Sequence, residues 1–147
     1  YQRLLSIRVR NELTDEWQDR GVQKGVEYAI LTDEITRAWS GLNTRQYKQL
    51  KGLKKENLRD NMSTTEIVLN MLAEVSTTEI SKAEAPETFE ENRSVAQKGG
   101  RVAGEARRSI EQQTGKPVVT AQNAAQLNAV VVDMIEEVAK TDSTDKE

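Results

Sequence analysis

Apolar residues recur at helical spacing along most of the chain. Leu5, Val9, Leu13 and Trp17 fall every four residues, which puts them on one stripe and predicts a helix over residues 4–19, stopped at Gly21. Tyr28, Leu31, Ile35, Ala38 and Trp39 mark a second helix over 27–39, or two short ones if Thr32 opens a fresh start, ending at Gly41. Asn43 or Thr44 then caps a short basic helix through Tyr47 and Leu50 to about residue 51, broken by Gly52. Ser63-Thr64-Thr65-Glu66 is a capping box, followed by a predicted stripe of Ile67, Met71, Leu72 and Val75. The same tetrapeptide recurs at Ser76-Thr77-Thr78-Glu79. A spacing of about 13 residues is too short for a helical solenoid, so the second copy is read as a local echo that can simply continue the helix.

Residues 83–88, with Pro86, read as a linker, and Thr88 caps a helix running from 89 to about 113. Gly99, Gly100 and Gly104 interrupt it, beside Ala96, Ala103 and Ala106. Each mid-helix glycine costs up to about 1 kcal/mol relative to alanine, so the cluster marks either a hinge or a small-residue face packed closely on a neighbour. Gly115 and Pro117 end the segment. Val118 and Val119 are too few for a strand. Thr120 then caps a final helix over 121–140, in which Ala124, Leu127, Val131, Met134 and Val138 are spaced 3, 4, 3 and 4, a heptad-like seam that closes the core or pairs with another subunit.

The organisation expected is therefore all-α, about six helices in a bundle-like arrangement. Residues 1–82 form one helical unit, 83–88 a linker, 89–140 a helical C-terminal part and 141–147 a flexible tail. The second part packs on the first or on another subunit. Composition agrees: of 147 residues 31% are charged and only 4% aromatic, which suits helices packed through Leu, Ile, Val and Ala.

The sequence has no Cys and no His. Disulfides, thiol catalysis and Cys-ligated metals are excluded, and the commonest general base and metal ligand are missing. No apolar run approaches the roughly 20 residues of a membrane span and no signal sequence is visible, so no membrane contact is expected and the compartment expected is the cytoplasm. The chain begins at Tyr1 and is read as part of a longer protein.

Net charge is −3, but its distribution is uneven. Between residues 37 and 59 lie Arg37, Arg45, Lys48, Lys51, Lys54, Lys55 and Arg59 against Glu56 alone. Such a run neutralises phosphates, with Tyr47 available to stack on a base, or it is a solvated face. Arg101, Arg107 and Arg108 form a second patch, read mainly as salt-bridged helix surface. Trp17 and Trp39 sit on apolar stripes and read as core. No nucleophile elbow, HExxH or phosphate loop is present, and adjacent pairs such as Glu90/Glu91 diverge on a helix, so no catalytic residue, cofactor or metal site is assigned and the chain is not expected to be an enzyme. A small enzyme using carboxylates and a divalent ion is the weakest alternative.

The stretch Lys51-Gly52-Leu53-Lys54-Lys55-Glu56-Asn57-Leu58-Arg59-Asp60-Asn61-Met62-Ser63-Thr64-Thr65-Glu66 resembles the region that follows the BRO-type domain in the family of DNA-damage-inducible protein D and phage antirepressor-like proteins. Arg10-Asn11-Glu12-Leu13, Gly41-Leu42, Asn92, Val95-Ala96, Gly99-Gly100, Ala103-Gly104, Ala106-Arg107, Ile110, Gly115 and Pro117 extend the resemblance over residues 1–125. It implies a role in the DNA-damage (SOS) response or in antirepressor-like regulation, by contact with DNA, a protein partner or a protein–DNA recombinase filament. The residues expected to touch nucleic acid are Arg45, Lys48, Lys51, Lys54, Lys55 and Arg59. The alternative is a protein-interaction or homo-oligomerisation module without DNA contact, using Leu127, Val131, Met134 and Val138.

Overall fold

The computed structural model describes residues 2–123 and 135–138. Five α-helices and one 3₁₀ turn make up the described body: α1 (Gln2–Asp19), α2 (Val26–Ser40), α3 (Thr44–Leu50), the turn Arg59–Asn61, α4 (Thr64–Glu84) and α5 (Phe89–Thr114). No strand occurs among the described residues, as the helical periodicities predict.

Local signals set most boundaries. Asn43 caps α3 and Ser63 caps α4, each in a reciprocal capping box, with Gln46 and Glu66 respectively. The Thr88 hydroxyl accepts the Glu91 N–H at the start of α5. Helix α2 is continuous: the Thr32 hydroxyl donates to the Tyr28 carbonyl one turn back and opens no new helix. The second Ser-Thr-Thr-Glu copy continues α4, with Thr77 and Thr78 buried and donating to the carbonyls of Ala73 and Glu74.

Helices α1 and α2 run antiparallel, pinned where the Tyr28 hydroxyl donates to the Thr14 carbonyl and Arg10 donates to Thr32. α4 runs parallel to α1, joined by Arg10 to Glu74 and by Ser81 to Glu16. α5 packs most extensively, against both α4 and α2. Residues 89–114 therefore pack on the helices of residues 2–82, and 83–88 comprises the end of α4 plus a short turn. Leu13, Trp17, Leu31, Ile35, Trp39, Tyr47, Leu69, Ala73 and Ala103 form the common core.

The three α5 glycines are a packing face, not a hinge. A Cβ at Gly99 would lie 2.6 Å from the Thr77 backbone nitrogen, one at Gly100 would lie 2.7 Å from the Ile35 carbonyl oxygen, and one at Gly104 would lie 2.7 Å from the Ala38 carbonyl oxygen. Their absent side chains let α5 lie directly on the backbones of α4 and α2.

Helix α4 keeps half of the predicted stripe, with Met71 buried and Ile67 packed against the core, and loses the other half. Val68, Leu72 and Val75 are exposed, while Glu66, Leu69, Asn70, Ala73, Glu74, Thr77 and Ser81 face inward. Polar side chains occupy this face because partners from other helices satisfy them. Glu74 takes hydrogen bonds from Arg10, Arg59 and Asn70, and the Asn70 oxygen takes the Trp39 indole N–H.

The final helix does not begin at residue 121. Residues 121–123 are irregular, because the Thr120 and Gln122 carbonyls turn toward the Lys51 ammonium, at 2.8 and 2.5 Å. Of the heptad seam, Leu127, Val131 and Met134 lie outside the described residues. Val138 is helical and exposed.

Candidate nucleic-acid interface

The basic run spans α3, the loop after it and the 3₁₀ turn, and the fold divides its members. Arg45 and Lys48 project from α3 and Lys54 from the following loop. Together with Arg10, Tyr28, Ala29, Thr32, Asp33, Thr44, Gln49 and Leu53 they line an open cleft of about 840 Å³ between the α1–α2 pair and α3. None of Arg45, Lys48 and Lys54 has a carboxylate within 4 Å among the described residues. The one carboxylate lining the cleft, Asp33, accepts the Thr44 backbone N–H at 3.3 Å. The acid inside the run, Glu56, turns its carboxylate onto the Lys54 backbone N–H at 2.7 Å, and backbone hydrogen bonds there hold its pKa below the ordinary glutamate value. Lys55 is exposed but lies outside the cleft wall.

Lys51 does not belong to this surface. Its side chain is fully buried, with the ammonium 2.9 Å from Glu66, which is equally buried. The same ammonium donates to the Thr120 and Gln122 carbonyls, and the Asn123 amide donates to the Lys51 carbonyl at 2.8 Å. A charge taken out of water needs this full set of partners, so Lys51 is a staple between α3, α4 and the segment after α5 rather than a nucleic-acid contact. Tyr47 is corrected in the same way. It is buried, its hydroxyl donates to Glu66, and its ring sits against Trp39, so it offers no face for a base. Burial, and then the bond to Glu66 and the charge of that carboxylate, push its phenol well above the usual range. Arg59 is half-buried and bound to Glu74 at 2.7 Å and to Ser6.

Sequence reasoning missed Arg10, which enters the cleft from α1 with its guanidinium 5.2 Å from the Trp17 ring and one nitrogen 2.7 Å from Thr32. The i, i+4 pattern of α1 places Arg10 beside the apolar stripe, but only the crossing with α2 and α4 shows what it meets. The second basic patch divides too. Arg107 bonds the Trp39 carbonyl at 2.7 Å near the end of α2 and Glu111 at 2.7 Å, whereas Arg101 and Arg108 are exposed.

Among the described residues no group of acidic side chains is placed to hold a metal ion, and no helix is long and apolar enough to cross a membrane. Compared with protein-family models, with curated proteins and with solved structures, the chain finds no match.

Proposed function

We propose that this chain is a non-enzymatic nucleic-acid-binding protein that grips a phosphate backbone in the cleft between α2 and α3. The observation that carries the reading is the convergence of Arg45, Lys48 and Lys54 on one open cleft with no carboxylate within 4 Å among the described residues. Unpaired cations on a concave wall attract a polyanion and exchange their counterions for its phosphates. The resemblance noted above adds the biological setting: a DNA-damage-response or antirepressor-like protein of the cytoplasm, acting on DNA alone or on a recombinase filament.

The test is affinity for single-stranded and duplex DNA across a salt series. Three phosphate contacts give a slope of log K against log salt of about −2 on single strands and about −3 on duplex. Arg45→Glu/Lys54→Glu should abolish binding while Lys55→Glu leaves most of it. Absence of binding at low salt, or equal loss from Lys55→Glu, would overturn the reading.

A further inference from the structure

Sharing Arg10, Thr32, Thr44 and Lys48 with the outer cleft is a second, smaller and less open inner cavity of about 210 Å³, lined also by Thr36, Asn57, Arg59 and Glu74 and by the apolar Ile35, Leu58 and Met62. Charge in this cavity does not balance. Arg10 and Arg59 share the single carboxylate of Glu74, at 3.2 and 2.7 Å, and Lys48 adds a third cation with no carboxylate within 4 Å among the described residues. The acid of the outer cleft, Asp33, does not line this cavity and accepts the Thr44 backbone N–H. Three cations against one carboxylate in a half-open cavity attract an anion.

The lining also holds unused donors. The Lys48 ammonium, the Thr44 hydroxyl and the Asn57 side-chain N–H have no hydrogen bond within the protein among the described residues. At about 210 Å³ the cavity has room for a phosphoryl group. An internal phosphodiester would have to enter and leave the same small space, and it carries one charge. A terminal phosphate carries between one and two and needs only one way in.

We infer that the inner cavity binds a phosphate monoester, and that the monoester is the phosphorylated end of a nucleic-acid strand whose backbone continues along the outer cleft. The inference rests on the cleft reading above for the strand and on the charge imbalance for the end. Lys48 lines both spaces and contacts the terminal phosphate, with Thr44 and Asn57 as neutral donors.

The experiment compares affinities of the full chain for one short oligonucleotide in four forms: 5′-phosphorylated, 3′-phosphorylated, with hydroxyl ends, and closed into a circle. Inorganic phosphate and a mononucleotide serve as separate probes of thermal stability. We expect one phosphorylated end to bind about tenfold more tightly than the hydroxyl or circular forms, the scale of one added charge-assisted contact. Lys48→Gln should erase that preference with no change in melting temperature. Equal affinity for all four forms would overturn the end-recognition inference and leave the cleft reading standing. Stabilisation by inorganic phosphate without binding of any oligonucleotide would overturn the strand end as the source and the cleft reading with it, leaving a small phosphate as the ligand. Neither binding nor stabilisation would overturn both.

Discussion

Lys48 and Lys51 are three residues apart at one short helix, belong to the same basic run and carry the same charge, yet they have opposite fates. Lys48 faces an open cleft without an ion-pair partner among the described residues, and Lys51 is sealed in the core on Glu66. Farther along, Lys54 repeats the first case and Arg59 comes close to repeating the second. The difference comes from α4. Its inward face offers two buried carboxylates, Glu66 and Glu74, and each draws in whichever cation the preceding loop brings within reach. A run of positive charge in sequence is therefore not yet a surface. It becomes one only for the residues that no buried carboxylate claims.

The sharpest way to break this comparison is at the sealed pair. Glu66→Ala should cost about 3–5 kcal/mol in chemical denaturation, since it leaves the Lys51 ammonium buried and unpaired. Replacing both partners by apolar residues, as in Lys51→Met/Glu66→Leu, should recover much of that loss. A cost below about 1 kcal/mol for Glu66→Ala would mean that Lys51 reaches water and belongs with Lys48 after all.

The next effect tests the frame that holds the two faces in place. Gly100→Ala should destabilise by about 1–3 kcal/mol, because the added methyl meets the Ile35 backbone, and that strain exceeds the gain of up to about 1 kcal/mol in helix propensity. Stabilisation in a thermal melt would show α5 lying farther from α2 than described.

A smaller effect is set by pH. Burial raises the Glu34 carboxyl, but hydrogen bonds from Gln97 and Arg93 and the charges of Arg93 and Arg37 outweigh it, so its folded pKa lies below the ordinary value of 4.5. A carboxylate depressed in the folded state contributes stability above its unfolded pKa, and that contribution is lost as pH falls through the folded one. Stability measured from pH 6 downward should therefore decline less steeply below about pH 4.5 in Glu34→Gln than in the parent. Parallel curves would show that the α2–α5 ion pair does not hold Glu34.

The smallest expected effect is on stability at the open cleft. Lys48→Gln should change folding free energy by no more than about 0.5 kcal/mol, as for other partner-free surface positions. A larger loss would place Lys48 in the structural class.

Much of the fold could be read from local chemistry. The caps at Asn43, Ser63 and Thr88, the glycine stop at Gly115 and the α1 stripe all depend on residues within a few positions of one another, and the structure has them where the pattern puts them. What failed was information carried between helices. Leu72 and Val75 look like core by hydrophobicity, but Glu66, Asn70 and Glu74 take the inward positions because Lys51, Trp39, Arg10 and Arg59 meet them there. The choice between hinge and packing face for Gly99, Gly100 and Gly104 needed the α2 and α4 backbones. Half of the candidate site was legible for the same reason. Arg45, Lys48 and Lys54 stood out as charge, while the burial of Lys51 and Tyr47 and the entry of Arg10 depend on contacts 15 or more residues apart.

If the unclaimed cations of the basic run, and not the buried ones, meet phosphate, the salt dependence of DNA affinity must change in Lys48→Gln. Beside the parent chain, that variant should bind more weakly, with a log–log salt slope shallower by about one contact and the same melting temperature. An unchanged slope would contradict that assignment.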